Sequence, residues 1–153
     1  MKFFMLCEDD GSVVWAKILN RFPEVLKKEI LDERPNGTQE DIKELSSWHL
    51  RSMTPVNIGI AKLLSKTENL ESISRTPPNV VNTINKKWGL NVKPGKIYDK
   101  TPGRYEQYSK MPSATAGPSI MVNGEIYWGI GRFIAALLRG DKTIKIWDIR
   151  SKL

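Results

Sequence analysis

Cysteine is almost missing from this 153-residue chain: Cys7 stands alone, so no internal disulfide can form. His49 is the only histidine, which excludes a structural zinc site of the usual four Cys/His ligands and leaves catalytic zinc unexpected. Long apolar runs are also lacking. The longest, Phe133 to Leu138, falls far short of the roughly 18 residues that suggest a membrane span. Internal repeats and low-complexity tracts are absent as well. The N-terminal Met1–Asp10 has one lysine and a short apolar stretch, but acids follow at once and no small-residue cleavage site appears. It reads as the first strand of a cytoplasmic protein.

What is present is the composition of a globular protein, 40% hydrophobic and 27% charged, long enough for one domain or one domain with a small extension. Net charge is +7, unevenly spread. Residues 1–52 hold eight Lys/Arg against ten Asp/Glu, whereas residues 53–153 hold sixteen against seven. A basic block of this kind suits a polyanion such as nucleic acid, a nucleotide or an anionic membrane surface; a lysine-rich solvated surface has the same composition.

Residues 2–7 read as a buried strand stopped by the turn-like Glu8-Asp9-Asp10-Gly11. Val13 to Leu31 has helical spacing, but Pro23 predicts two short helices. Thr38 is a candidate N-cap with Asp41 three residues later, and an amphipathic helix is expected over Asp41–Leu50. A strand is expected over Pro55–Ile60. Pro77-Pro78 opens a helix over Asn79–Trp88, with Val80, Val81, Ile84 and Trp88 on one face and Gly89 as its stop.

Residues 90–117 hold scattered Pro and Gly without a sustained period and read as a long loop. Then comes the most regular segment. Ser119–Val122 and Glu125–Trp128 are strands joined by Asn123-Gly124, the dipeptide a type I′ hairpin wants. Gly129–Arg132 is a tight turn into a helix over Phe133–Arg139, Gly140 caps it, and Thr143–Ile149 is a final strand.

The turn Gly129-Ile130-Gly131-Arg132 combines two glycines, a helix start and a guanidinium. Unpaired N–H groups, the positive dipole end and an arginine together suit a phosphate. A plain tight turn, with Arg132 paired to a surface carboxylate, explains the same residues. Lys93, Lys96, Lys100 and Arg104 are interleaved with Tyr98, Tyr105 and Tyr108, a pattern in which cations track phosphates and rings stack on bases. Aromatics that pin a long loop to the core, with lysines keeping it soluble, are the alternative. Glu68, Glu71 and Glu125 are candidate carboxylates for chemistry near the turn, Glu71 first among them. Glu8-Asp9-Asp10 reads as a turn rather than a Mg²⁺ site, and His49 as structural or exposed.

The stretch from Pro118 to Ile149 resembles the core of the ParB/sulfiredoxin superfamily. The matching positions are Asn123-Gly124, Gly129, Arg132, Ala135, Ala136, Gly140 and Thr143-Ile144-Lys145-Ile146. Upstream, Pro55-Val56-Asn57-Ile58 resembles the family's opening strand, and Arg75-Thr76-Pro77-Pro78 the region before its first core helix. The resemblance implies a mixed sheet with packed helices, an α+β or α/β fold, here with a strand-helix extension over residues 1–52 and the family-like domain over 53–153. It implies ATP or CTP with Mg²⁺ bound at Gly129, Ile130, Gly131 and Arg132; catalytic roles are expected for Arg132 and, by its position before Arg75-Thr76-Pro77-Pro78, for Glu71.

Sulfiredoxin's cysteine and histidine positions before the arginine are Ile130 and Gly131 here, so repair of oxidised cysteine is not expected. Partition-type ParB proteins continue into DNA-reading helices where this sequence stops at Leu153, so centromere-style reading is not expected either. The expected function is a stand-alone ParB-like nucleotide-binding protein acting on DNA by phosphoryl transfer or nucleotide hydrolysis, with no membrane partner. A metal-dependent ParB-like nuclease and a non-enzymatic DNA- or protein-binding regulator stay open beside it.

Overall fold

The computed structural model describes residues 11, 13–96, 105, 107, 110 and 117–152. The chain divides into two compact units, Met1–Thr54 with Ile149–Leu153, and Pro55–Asp148. Against the expected division after residue 52, the tail of the last strand is counted with the N-terminal unit. The expected strand over residues 2–7 lies outside the described residues.

In the first unit, α1 covers residues 13–19 and α2 spans Glu24–Glu33. Pro23 separates them: it has no N–H to extend α1, but its carbonyl accepts the Lys27 N–H at 2.8 Å and so opens α2. Helix α3, Gln39–Ser46, starts with a full capping box. The Asp41 N–H donates to Thr38 Oγ1 (3.2 Å) and the Thr38 N–H donates to Asp41 Oδ2 (3.0 Å). Asp41 is buried and ion-paired to Arg34, which also reaches Glu44 at 3.4 Å. Burial pushes the Asp41 carboxyl up, but the Arg34 guanidinium and the bonds from the Thr38 N–H and hydroxyl outweigh it and hold the group below its ordinary value.

The helix expected as far as Leu50 ends at Ser46. Trp48–Leu50 is strand β1, antiparallel to the end of the last strand through Trp48↔Ser151 and Leu50↔Ile149. A ladder to residues about a hundred positions away overrides the local helical period there.

The second unit contains β2 (Val56–Gly59), α4 (Ile60–Leu64), α5 (Thr67–Ser74), α6 (Pro78–Trp88), β3 (Ser119–Val122), β4 (Glu125–Trp128) and α7 (Ile130–Arg139). Strand β5, Thr143–Ser151, begins in this unit and pairs antiparallel with β2 through Val56↔Ile146 and Gly59↔Thr143. The mixed sheet runs β1-β5-β3-β4, with β2 also on β5, and the helices make the fold α+β. One apolar core joins Ile60, Leu63, Ile73, Val80, Val81 and Ile84 to Phe133, Ile134 and Leu137 and to the strand residues Met121, Ile126, Ile144 and Ile146. Fully burying each large side chain of this kind contributes about 1.5–3 kcal/mol.

Helix α6 has Pro78 in its first turn and ends on Gly89 at φ 64°. The last helix starts at Ile130 rather than Phe133, so Ile130, Gly131 and Arg132 are its first turn. The expected loop over 90–117 is not loop throughout: Tyr105, Gln107 and Lys110 are helical, and Tyr105 is 7% exposed within the core. Among the described residues no helix is long and apolar enough to cross a membrane.

Candidate functional site

The sequence builds the turn before α7 from both sides. Asn123 (φ 53°) and Gly124 (φ 85°) form the left-handed pair of the expected hairpin. The register then shifts: Met121 pairs with Ile126 but Ile120 with Trp128, leaving Tyr127 as an extra residue on β4. Such a bulge bends the strand and re-aims its side chains, and the Tyr127 and Trp128 rings come within 5.2 Å at 52°.

Gly129 follows at φ 81°, where a Cβ would sit 2.8 Å from Ser119 Oγ. The Gly129 carbonyl accepts three donors: Ser119 Oγ (2.9 Å), the Arg132 N–H (3.1 Å) and the Phe133 N–H (3.2 Å). The glycine therefore has a structural task of its own, pinning β3 to the start of α7. The N–H groups of Ile130 and Gly131 take no partner among the described residues, as the first turn of a helix dictates. Arg132 is half-buried. Its Nη1 donates to the Pro118 carbonyl, and the guanidinium lies 3.5 Å from where a Cβ on Gly117 would stand. The turn thus gathers two N–H donors, a helix dipole end and a cation, and Phe133–Leu137 behind it is buried and fixed.

The other expected residues are placed elsewhere. Glu71 is on α5, exposed, 3.9 Å from Arg75, and makes no bond to Arg132. Glu68 and Glu125 are exposed. Lys93 and Lys96 are exposed on the segment after α6. Tyr105, expected to stack on bases, is instead part of the core, so its ring is not displayed. Tyr98, Lys100, Arg104 and Tyr108 lie outside the described residues, as do Glu8, Asp9 and Asp10. His49 is exposed on β1 opposite Arg150. Among the described residues no three His, Cys, Asp or Glu side chains gather as metal ligands.

Two residues that sequence reasoning passed over hold the surroundings together. Asn69 is fully buried on α5. Its Nδ2 donates to the Leu63 carbonyl (2.9 Å) and the Gly124 carbonyl (3.1 Å), while its Oδ1 accepts the Ile126 N–H (2.8 Å). It ties α5 to the end of α4 and to the β4 side of the β3–β4 turn. Asn85 on α6 does the same for Val92, accepting its N–H at 2.9 Å and donating to its carbonyl at 2.8 Å. For Asn85 the available signal was its place between Val81 and Trp88 on the apolar face of α6; Asn69 offered none. No protein-family model, curated protein or solved structure matches this chain.

Proposed function

We propose that this chain is a nucleotide-binding protein that holds the phosphates at the first turn of α7. The observation that carries the reading is the unpartnered N–H pair of Ile130 and Gly131 behind a left-handed Gly129, with the half-buried Arg132 guanidinium on the same turn. Backbone donors at a helix start offer a phosphate short, fixed hydrogen bonds, and a guanidinium adds charge that water screens poorly at a half-buried position. The resemblance of Pro118–Ile149 to the ParB/sulfiredoxin core supports a nucleotide over a bare phosphate, with ATP or CTP and Mg²⁺ as the ligands to try.

The proposed activity is binding alone. Glu71 is exposed and faces Arg75, an arrangement that orients no base or metal toward the turn. DNA remains a candidate phosphate source for the same donors. The test is a thermal-shift titration with ATP, CTP, tripolyphosphate and a short single-stranded DNA, each with and without Mg²⁺. A saturable upward shift with ATP or CTP that disappears in Arg132→Gln supports the reading. A shift with DNA alone moves the site to nucleic-acid phosphates, and no shift with any of them overturns it.

A further inference from the structure

We propose that the groove between α5 and residues 90–93 binds an extended, acidic peptide segment of another protein by strand addition. The groove holds about 380 Å³, open to solvent. Leu70, Leu90 and Val92 form its apolar part and pack at their other side against the core. Glu71, Ser74 and Lys93 stand at its polar margin.

The backbone beside this groove is fixed in a form that invites a strand. Both backbone groups of Val92 bond to the Asn85 side chain, N–H and carbonyl together. A residue whose two polar groups point the same way is extended, and its neighbours then point theirs the opposite way. The N–H and carbonyl groups of Asn91 and Lys93 accordingly take no partner among the described residues. The ends of the segment are anchored. The Leu90 N–H donates to the Asn85 carbonyl (2.9 Å) and the Gly95 N–H to the Ser74 carbonyl (2.8 Å). A short edge of this kind, held rigid beside an apolar recess, meets the two needs of strand addition: main-chain bonds for affinity and a recess for a side chain.

Charge selects the partner. Glu71 faces Arg75, whereas Lys93 and Lys96 are exposed with no ion pair among the described residues. The uncompensated charge along the edge is positive, so the matching strand is acidic. Nucleic acid would answer the lysines but not the apolar recess or the main-chain edge.

The test uses the full chain, ¹⁵N-labelled, titrated with a capped peptide of alternating valine and glutamate, its valine–lysine counterpart, and a short oligothymidylate. Saturable shifts at the Asn91 and Lys93 amides with the acidic peptide, and slowed exchange of those amides, are the expected result. Asn91→Pro removes an N–H with no internal partner and should weaken binding about tenfold. Leu70→Trp, which fills the recess, serves as the second variant should the proline disturb the segment. Equal binding of the basic peptide, no shift at Asn91 and Lys93 with either peptide, or a response to oligothymidylate alone would each overturn the proposal.

Discussion

Replacing Asn69 by leucine keeps the size of the side chain and removes every bond it makes. The buried Ile126 N–H and the half-buried Gly124 carbonyl then lose the partner they now have, while the Leu63 carbonyl keeps the Lys66 N–H at 3.2 Å. Each buried polar group stranded in this way costs about 1–3 kcal/mol. Leucine recovers part of that through apolar contact, so the net loss from the two groups should be about 2–4 kcal/mol, a large share of the roughly 5–15 kcal/mol that holds a domain folded. Asn69→Asp should be worse at neutral pH than at acid pH, because a carboxylate would face the two carbonyls that Nδ2 now serves.

The assay is urea unfolding followed by tryptophan fluorescence, with amide exchange at Ile126 as the local readout. Loss of Ile126 protection together with the lower midpoint is expected. A loss below about 1 kcal/mol in Asn69→Leu, with Ile126 still protected, would refute the reasoning, since it would mean that the Ile126 N–H and the Gly124 carbonyl find other partners at little cost. The position also bears on function. The hairpin that Asn69 secures leads directly into Gly129, so a destabilised hairpin should weaken ligand binding at α7 as well.

Three further outcomes follow from the same structure. Gly129→Ala and Gly89→Ala both force alanine into a left-handed backbone, at about 1–2 kcal/mol, but only at Gly129 would the Cβ meet Ser119, at 2.8 Å, whereas Gly89 opens on free space. Denaturation should therefore show Gly129→Ala as clearly the more damaging of the two, and equal losses would contradict the close contact. The Asp41 carboxyl titrates below its ordinary value in the folded chain, so its stabilisation is complete above the unfolded carboxylate pKa of about 3.9 and is lost as pH falls through the lower folded value. The stability difference between wild type and Asp41→Asn should be flat at higher pH and shrink as pH falls below about 4; a difference independent of pH would count against the ion pair with Arg34. Tyr105→Ala should cost about 3 kcal/mol or more as a core truncation, whereas charge reversal at the exposed Lys93 and Lys96 should leave the unfolding midpoint nearly unchanged.

The parts of the fold that a sequence reader could see are those fixed by local stereochemistry. Asn123-Gly124 demands positive φ at two successive residues, Pro23 cannot continue a helix, Thr38 and Asp41 stand at capping-box spacing, and Gly89 and Gly140 close helices in the left-handed region. The parts that were hidden depend on distant partners. Trp48–Leu50 continues a helical apolar period and becomes a strand only because residues 149–151 pair with it. Helix α5 buries Asn69 and Ser72 beside Ile73, a polar face that carries no hydrophobic period. Tyr105 sits among lysines in sequence and in the core in space. At the candidate site, the glycines and the arginine were legible as residue types, but the hold of the Pro118 carbonyl on Arg132 and of Ser119 on Gly129 needed coordinates.

The central claim is tested most directly by calorimetric titration of ATP and CTP, with Mg²⁺, into the wild-type chain and Arg132→Gln. Glutamine keeps a polar side chain on the turn while the charge is gone. The account predicts saturable binding of at least one nucleotide to the wild type, weakened about tenfold to a hundredfold in the variant, as the loss of one charge-assisted hydrogen bond requires. Nucleotide affinity unchanged by Arg132→Gln, or no binding to the wild type, would contradict it.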